Sequence, residues 1–345
     1  MSQDTILPKR KNDHLRINIE EETGSLLSTG LERYRLVHRA LPEINFADVK
    51  TTTEFLGTKL GAPLLISSMT GGTERTMVIN RRLAAAAQQH RLAIGAGSQR
   101  AALEDTSTAK TFSVIREEAP DALVFANLGA VQLNESHGID SCQRAVDMLQ
   151  ANGLFLHLNP LQEALQEEGD TNFFGLLKKI ERVCHTLEVP VLVKEVGWGI
   201  DVHSAKLLLN AGVQVIDTAG AGGTSWSEVE KHRTGNPILR RTAEAFKDWG
   251  HPTAGLLLSL RSEFPDLPLI ASGGIRSGID AAKCIALGAN LVGAARPFLL
   301  AAAESDTKTS FELEVFIRQM KTAMFASGCK NLEELTASAV IERIP

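Results

Sequence analysis

From Ala62 onward, eight apolar runs bounded by Gly, Asn or Ser alternate with helix-like stretches. The runs cover 63–69, 92–97, 122–128, 153–158, 189–196, 213–218, 267–272 and 289–294, and the helical stretches between them are 77–90, 109–118, 140–151, 173–187, 202–210, 238–247 with 252–263, and 279–287. Runs that are apolar without alternation belong to strands covered on both faces, so they predict a parallel sheet under helices. Eight repeats favour closure into a (β/α)8 barrel over an open doubly wound sheet. A barrel of about 250 residues plus extensions fits this length as one decorated unit, although two domains fit it equally well. The expected division is an N-terminal extension over 1–60 and a barrel over 61–345 with a C-terminal helix.

The extension is polar and reads as irregular, with basic Arg10 and Lys11 ahead of acidic Glu20, Glu21 and Glu22. Taken alone it reads as a mobile tail. Lys and Arg number 36 against 41 Asp and Glu, a net charge of −5, which argues against a non-specific nucleic-acid binder. Any anionic ligand therefore needs a local basic cluster. Cys142, Cys184, Cys284 and Cys329 have no C-x-x-C spacing, so a reduced cytoplasmic location fits and a zinc site does not. No signal-peptide core or membrane-length apolar run stands out.

In such a barrel the functional groups collect at the C-terminal ends of the strands. Here those ends carry Ser67–Gly72, Gly97–Arg100, Asn127–Gly129, His157–Glu163, Lys194, Gly220–Thr224, Ser272–Gly278 and Gly293–Arg296. The last two have small residues that let backbone N–H groups approach an anion at a helix N-terminus, with Arg276 and Arg296 as charge partners, and so predict a phosphate site. Lys194 inside an apolar run must find an anion or lose its charge. It would serve the N1/O2 edge of a flavin mononucleotide over the barrel mouth, or else a structural ion pair with Glu195 or another barrel carboxylate. The stretch 157–163 reads either as the rim of a site or as a strand end before an amphipathic helix near Leu161. Residues 220–236 exceed a usual βα loop and read as a lid.

The motifs Arg-Lys-x-Asp-His at 10–14, Ser-Met-Thr-Gly-Gly at 68–72, Ser-Gln-Arg at 98–100, Asn-Leu-Gly at 127–129, His-Leu-Asn-x-x-Gln-Glu at 157–163, Lys194, Gly-Gly-Thr at 222–224 and Gly-Gly-Ile-Arg at 273–276 together resemble the type 2, flavin-dependent isopentenyl-diphosphate isomerases. The match runs in order from residue 10 to about 300, with a departure only in the Ala-Ala-Arg-Pro end of the last run. The resemblance implies FMN held by Ser68, Met69, Thr70, Ser98, Asn127, Lys194, Thr224, Gly274, Ile275, Arg276, Ala295 and Arg296. It further implies a substrate diphosphate held by Arg10, Lys11, Ser98, Gln99 and Arg100, with His14, His157 and Asn159 beside it. Gln162 would face the reacting carbons, Glu163 would bind Mg²⁺, and Gln162, His157 and Lys194 would carry catalysis. The family resemblance also implies NADPH as the usual reductant of the flavin and a homotetramer or homo-octamer, and its basic pair at 10–11 folds over substrate instead of trailing as a tail.

Forked guanidinium donors and a hard cation suit a diphosphate, which Arg10, Lys11, Arg100 and Glu163 would provide despite the negative net charge. Moving the double bond of isopentenyl diphosphate to give dimethylallyl diphosphate needs a proton delivered at C4 and another removed at C2. Gln162 is an amide and cannot protonate an alkene, so the expected acid and base is the reduced flavin, with Gln162 positioning the substrate or relaying a proton. Two other readings compete. An FMN-dependent oxidoreductase of the hydroxy-acid oxidase type would need a histidine and arginine where Ala219–Thr224 stand, and an inosine-monophosphate dehydrogenase type would need a cysteine at a strand end. A non-catalytic flavin or phosphate sensor would use Gln162 and Glu163 only to cap a helix.

Overall fold

A computed structural model describes residues 3–135, 138–337 and 339–344. Three strands precede the barrel: β1 (Tyr34–Leu36), β2 (Thr53–Phe55) and β3 (Thr58–Leu60). Each of the eight apolar runs then becomes a strand, namely β4 (Leu64–Ile66), β5 (Ala93–Gly95), β6 (Leu123–Gly129), β7 (Gly153–His157), β8 (Val191–Lys194), β9 (Val215–Asp217), β10 (Leu269–Ser272) and β11 (Leu291–Ala294). A last strand, β12 (Ile341–Arg343), lies near the C-terminus. Strands β4 to β11 pair in parallel and close into a barrel, β11 returning to β4 through Val292 to Leu64 and Ala294 to Ile66.

Side-chain alternation explains why the runs are apolar throughout. Leu64, Ile66, Leu154, Leu156, Val191 and Val193 face outward into the core shared with the helices. Leu65, Phe125, Phe155, Leu192, Val215, Ile270 and Leu291 face inward as a second, separate cluster. Two residues further along the strands, the inward positions are Ser67, Gly95, Asn127, His157, Lys194, Asp217, Ser272 and Gly293. The barrel interior is thus greasy below and polar at its C-terminal mouth.

Local chemistry sets the helix ends. Thr73 caps the helix Glu74–His90 through a reciprocal pair of bonds with Thr76, and Arg91 at φ 52° ends it. Ser277 caps Gly278–Ala286 after β10, and Pro297 opens Arg296–Glu304 after β11.

The extension differs from the irregular segment expected. Gln3–Glu20 is helical, and Leu15 and Ile17 are buried. β1 pairs antiparallel with β12. Leu56 and Gly57, both at positive φ, turn β2 into β3. That hairpin delivers Phe55 and Leu60 to the inner barrel cluster beside Pro268, Ala289 and Asn290, the residues leading into β10 and β11. It closes the N-terminal end of the barrel, so the division drawn at residue 60 runs through a part of the barrel's own core. Residues 220–236 also differ from the lid expected of them: Thr224 pairs with Gly24, and Trp226–Arg233 is a helix with Ser227, Glu228, Val229 and Glu230 buried, a packed wall.

Candidate active site

The strand ends enclose one cavity of about 530 Å³ at the barrel mouth, roofed by the N-terminal helix. Every residue assigned above to FMN, substrate or metal lines it except Gln99. Gln99 is fully buried outside that lining: its amide donates to the Ala145 carbonyl and accepts from the Asn127 N–H, so it braces β6.

One half of the cavity is built for a phosphate. Gly273 and Gly274 sit at φ 102° and 74°, where a Cβ would meet Gly220 O at 2.0 Å and the Gly222 carbonyl carbon at 2.5 Å, so only glycine brings the backbone this close. Arg276 reaches the Gly222 carbonyl, and Arg296 reaches the Glu21 carbonyl while its buried Nε has no partner. Ser67 and Ser68 likewise keep buried hydroxyls without partners on the cavity wall. Unpartnered donors beside a glycine cradle fit a bound phosphoribityl group.

Deeper in the barrel, Asn127 gives its Nδ2 to the Ala96 carbonyl and turns its Oδ1 to His157 Nδ1 at 2.8 Å. His157 therefore carries its proton on Nδ1 and leaves Nε2 bare. Burial, then the positive charges of Lys194, Lys11 and Arg10, push this imidazole down to about 3, so it is neutral. Lys194 ends β8, and its ammonium donates to the Glu195 carbonyl. The Glu195 carboxylate accepts, through Oε2, the backbone N–H groups of Val196, Gly197, Trp198 and Gly199, and its charge adds to that of Asp217 in opposing the lowering of Lys194 by burial.

The other half is cationic. Arg10 bonds Gln166 at 3.3 Å, Lys11 reaches the Ser98 carbonyl at 3.4 Å, and Arg100 pairs with Glu104 and Glu135. Burial, with Arg10 and Arg100 nearby, lowers Lys11 to about 7. These cations crowd one another, an arrangement that an anion would relieve. Glu163, in the short helix Pro160–Leu165, accepts from Asn159 Nδ2 at 2.8 Å and from the Asp170 N–H at 2.8 Å. Among the described residues no group of three or more His, Cys, Asp or Glu is placed to hold a metal. A lone carboxylate beside a cationic pocket fits Mg²⁺, which takes one or two carboxylates and draws its other ligands from phosphate and water.

Gln162 also lines the cavity. Its Nε2 donates to Glu230 Oε1 at 3.2 Å and its Oε1 accepts from Asn159 at 3.2 Å, which fixes the amide on both sides. The sequence reading missed Glu230. Its buried carboxylate also bonds His14 at 3.0 Å and Arg233 Nε at 2.6 Å, and Arg233 continues to Glu168 at the surface. Burial would raise Glu230, but the His14 and Arg233 contacts outweigh it and hold the group low, hence ionised. Trp226 meets the His14 ring edge-on at 5.0 Å. The one available signal was a carboxylate within a long polar βα connection. The thiols are remote from the cavity, and burial pushes Cys142 up to about 12 and Cys184 up to about 11, so neither serves as a nucleophile.

Residues 143–342 match the family model of FMN-dependent dehydrogenases. The same fold occurs in a flavocytochrome b2 variant (TM-score 0.72, 16% identity, covering 96% of this chain and 82% of that one) and in a mandelate oxidase variant (TM-score 0.65, 20% identity, covering 94% and 90%). Fold, cradle and family model together define the class, that of the FMN-dependent (β/α)8 barrels. An isopentenyl-diphosphate delta-isomerase of Nostoc sp. is 53% identical over 97% of this chain and 96% of its own length, and one of Synechococcus sp. is 52% identical over 99% and 98%. The chain belongs to the isopentenyl-diphosphate delta-isomerase family.

Proposed function

We propose that this protein interconverts isopentenyl and dimethylallyl diphosphate, with FMN in the glycine cradle and Mg²⁺ on Glu163. The observation that carries this reading is one cavity lined by two groups of cations, Arg276 with Arg296 and Arg10 with Lys11 and Arg100, and by the uncharged amide of Gln162. A hydroxy-acid dehydrogenase needs a histidine and arginine after β9 to take a proton and a carboxylate, whereas Ala219–Thr224 provide only glycines, alanines and a threonine.

Arg10, Lys11 and Arg100 grip the diphosphate, and Glu163 would hold a Mg²⁺ that would offset its remaining charge. Leu15, His14 and Asn18 of the N-terminal helix cover the cavity and would exclude water above it. FMN, which Ser68, Asn127, Arg276 and Arg296 would hold and NADPH would reduce, would supply the proton-exchanging nitrogen when bound. His157, neutral and protonated on Nδ1, gives no proton and offers Nε2 only as an acceptor. Gln162, clamped by Asn159 and Glu230, positions the alkene, and the Glu230 carboxylate behind it compensates positive charge developing at C3. The family resemblance adds a homotetramer or homo-octamer, read by light scattering, and a cytoplasmic setting; among the described residues no helix is long and apolar enough to cross a membrane.

The test is to incubate the protein anaerobically with FMN, NADPH, Mg²⁺ and isopentenyl diphosphate and to measure dimethylallyl diphosphate. Product should form with the flavin still reduced, and Gln162→Ala should lose turnover while keeping FMN. No product in the presence of reduced flavin, or one flavin oxidised per product, overturns the proposal.

A further inference from the structure

Asp217 is a fully buried carboxylate that no step above uses. It stands two residues beyond inward-facing Val215, so its side chain enters the barrel interior just below the cavity. Strand register places it beside Lys194, and Lys194 in turn beside His157, giving a row of three titratable side chains across β7, β8 and β9. Its Oδ1 accepts from Ser272 Oγ at 2.6 Å and from the Ala219 N–H at 3.2 Å. Its Oδ2 has no partner and is shut off from solvent.

The groups facing Lys194 are His157 on β7, Asp217 on β9 and Glu195 on its own strand end. His157 is neutral, and the charge of Glu195, whose Oε2 accepts four backbone N–H groups, acts on Lys194 after that of Asp217. Asp217 is the carboxylate whose buried oxygen has no partner and whose strand position is beside the ammonium. A buried ammonium is costly unless an opposite charge stands near it, and a buried carboxylate is costly for the same reason. Burial raises Asp217, and Lys194, then the donors Ser272 and the Ala219 amide, oppose that rise.

We propose that Asp217 is the fixed counter-charge that keeps Lys194 protonated, and is thereby a positioning residue that sets the electrostatics of the cavity floor where the flavin lies. Burial lowers Lys194 and Asp217 is the first group that opposes this, which agrees with the geometry. The inference rests on the proposed function for the identity of FMN above Lys194, and its tests read charge and flavin potential, not turnover.

Potentiometric titration of the FMN holoprotein should give a smooth pH dependence in the unsubstituted protein. In Asp217→Asn, which is isosteric and keeps an acceptor for Ser272, a new break should appear as Lys194 loses its proton at lower pH. Above that break reduced FMN should bind about tenfold or more weakly relative to oxidised FMN. Adding Lys194→Arg to Asp217→Asn should erase the break, because a guanidinium stays charged without a counter-ion. Identical pH profiles for the unsubstituted protein and Asp217→Asn would overturn the proposal. A second measurement needs no variant: infrared spectra of unsubstituted protein labelled with carbon-13 aspartate should contain no protonated-carboxyl stretch at neutral pH, and its presence in the folded protein would overturn the proposal. Failure to bind FMN at all would instead refute the proposed function, which keeps the two claims separable.

Discussion

At the scale of single residues, the site is governed by groups whose charge burial has altered. Lys11 titrates near 7 in the ligand-free protein, because burial and two arginines disfavour its charged form. An anion prefers the charged form, so affinity for inorganic pyrophosphate should be complete below about pH 7 and fall by up to about tenfold per pH unit above it. Calorimetry in buffers of different ionisation enthalpy should register proton uptake on binding above pH 7, and Lys11→Arg should remove most of the pH dependence. His157 carries the opposite kind of signature. Its folded value, about 3, lies below the unfolded 6.5, so the unfolded chain takes up a proton that the folded chain refuses. The associated stability is complete above 6.5 and is lost as pH falls toward 3, by about 1.4 kcal/mol per pH unit. Urea unfolding at pH 7 and pH 4.5 should therefore show a smaller acid loss in His157→Gln than in the unsubstituted protein. The line between legible and hidden residues has a physical origin. Gly273, Gly274 and Arg276 announce themselves because a phosphate cradle is local in sequence. Glu230 and Asp217 do not, because what makes them matter is a partner 68 residues away at Gln162 in one case and a partner on the neighbouring strand in the other.

At the scale of elements, the described side chains of the N-terminal helix Gln3–Glu20 give it a short list of anchors on the barrel. Over residues 9–20 its buried apolar side chains are Leu15 and Ile17, each contributing about 1.5–3 kcal/mol of burial, and its polar anchors are Arg10 to Gln166, Lys11 to Ser98 and His14 to Glu230. Deleting residues 1–20 should leave the circular dichroism of the barrel intact while abolishing pyrophosphate binding, measured by calorimetry. This helix was the element hardest to read. Its sequence offers almost no apolar stripe, and its helicity comes from tertiary contacts that a polar pattern does not advertise. The barrel strands were easy for the converse reason. Both faces of each strand are buried, so each appears as an unbroken apolar run, as at Leu154, Phe155 and Leu156. Gln99 lies outside the cavity lining although its neighbours Ser98 and Arg100 belong to it, because alternation along the chain turns the residue between them the other way.

At the scale of the whole molecule, the barrel is sealed at one end by a part of the chain that reads as an appendage. Phe55 sits in the inner cluster with Phe125 and Phe155, so Phe55→Ala should cost about 3–5 kcal/mol in urea unfolding. Mutating a residue of this plug should lower stability without changing FMN affinity, since the plug and the cradle occupy opposite ends of the strands. With the lower end closed, cofactor and substrate of the proposed reaction share a single entrance. The helix over that entrance leaves the barrel at Gly24 and Ser25, which are tied to Thr224 and Gly223, and the Glu21 carbonyl caps Arg296. The strap is thus fastened at its C-terminal end to the wall of the glycine cradle, while Arg10 and Lys11 in its middle line the same cavity. If the proposed reaction holds, this would give assembly an order: nucleotide seated against the fixed end of the strap first, and diphosphate under its basic residues afterwards.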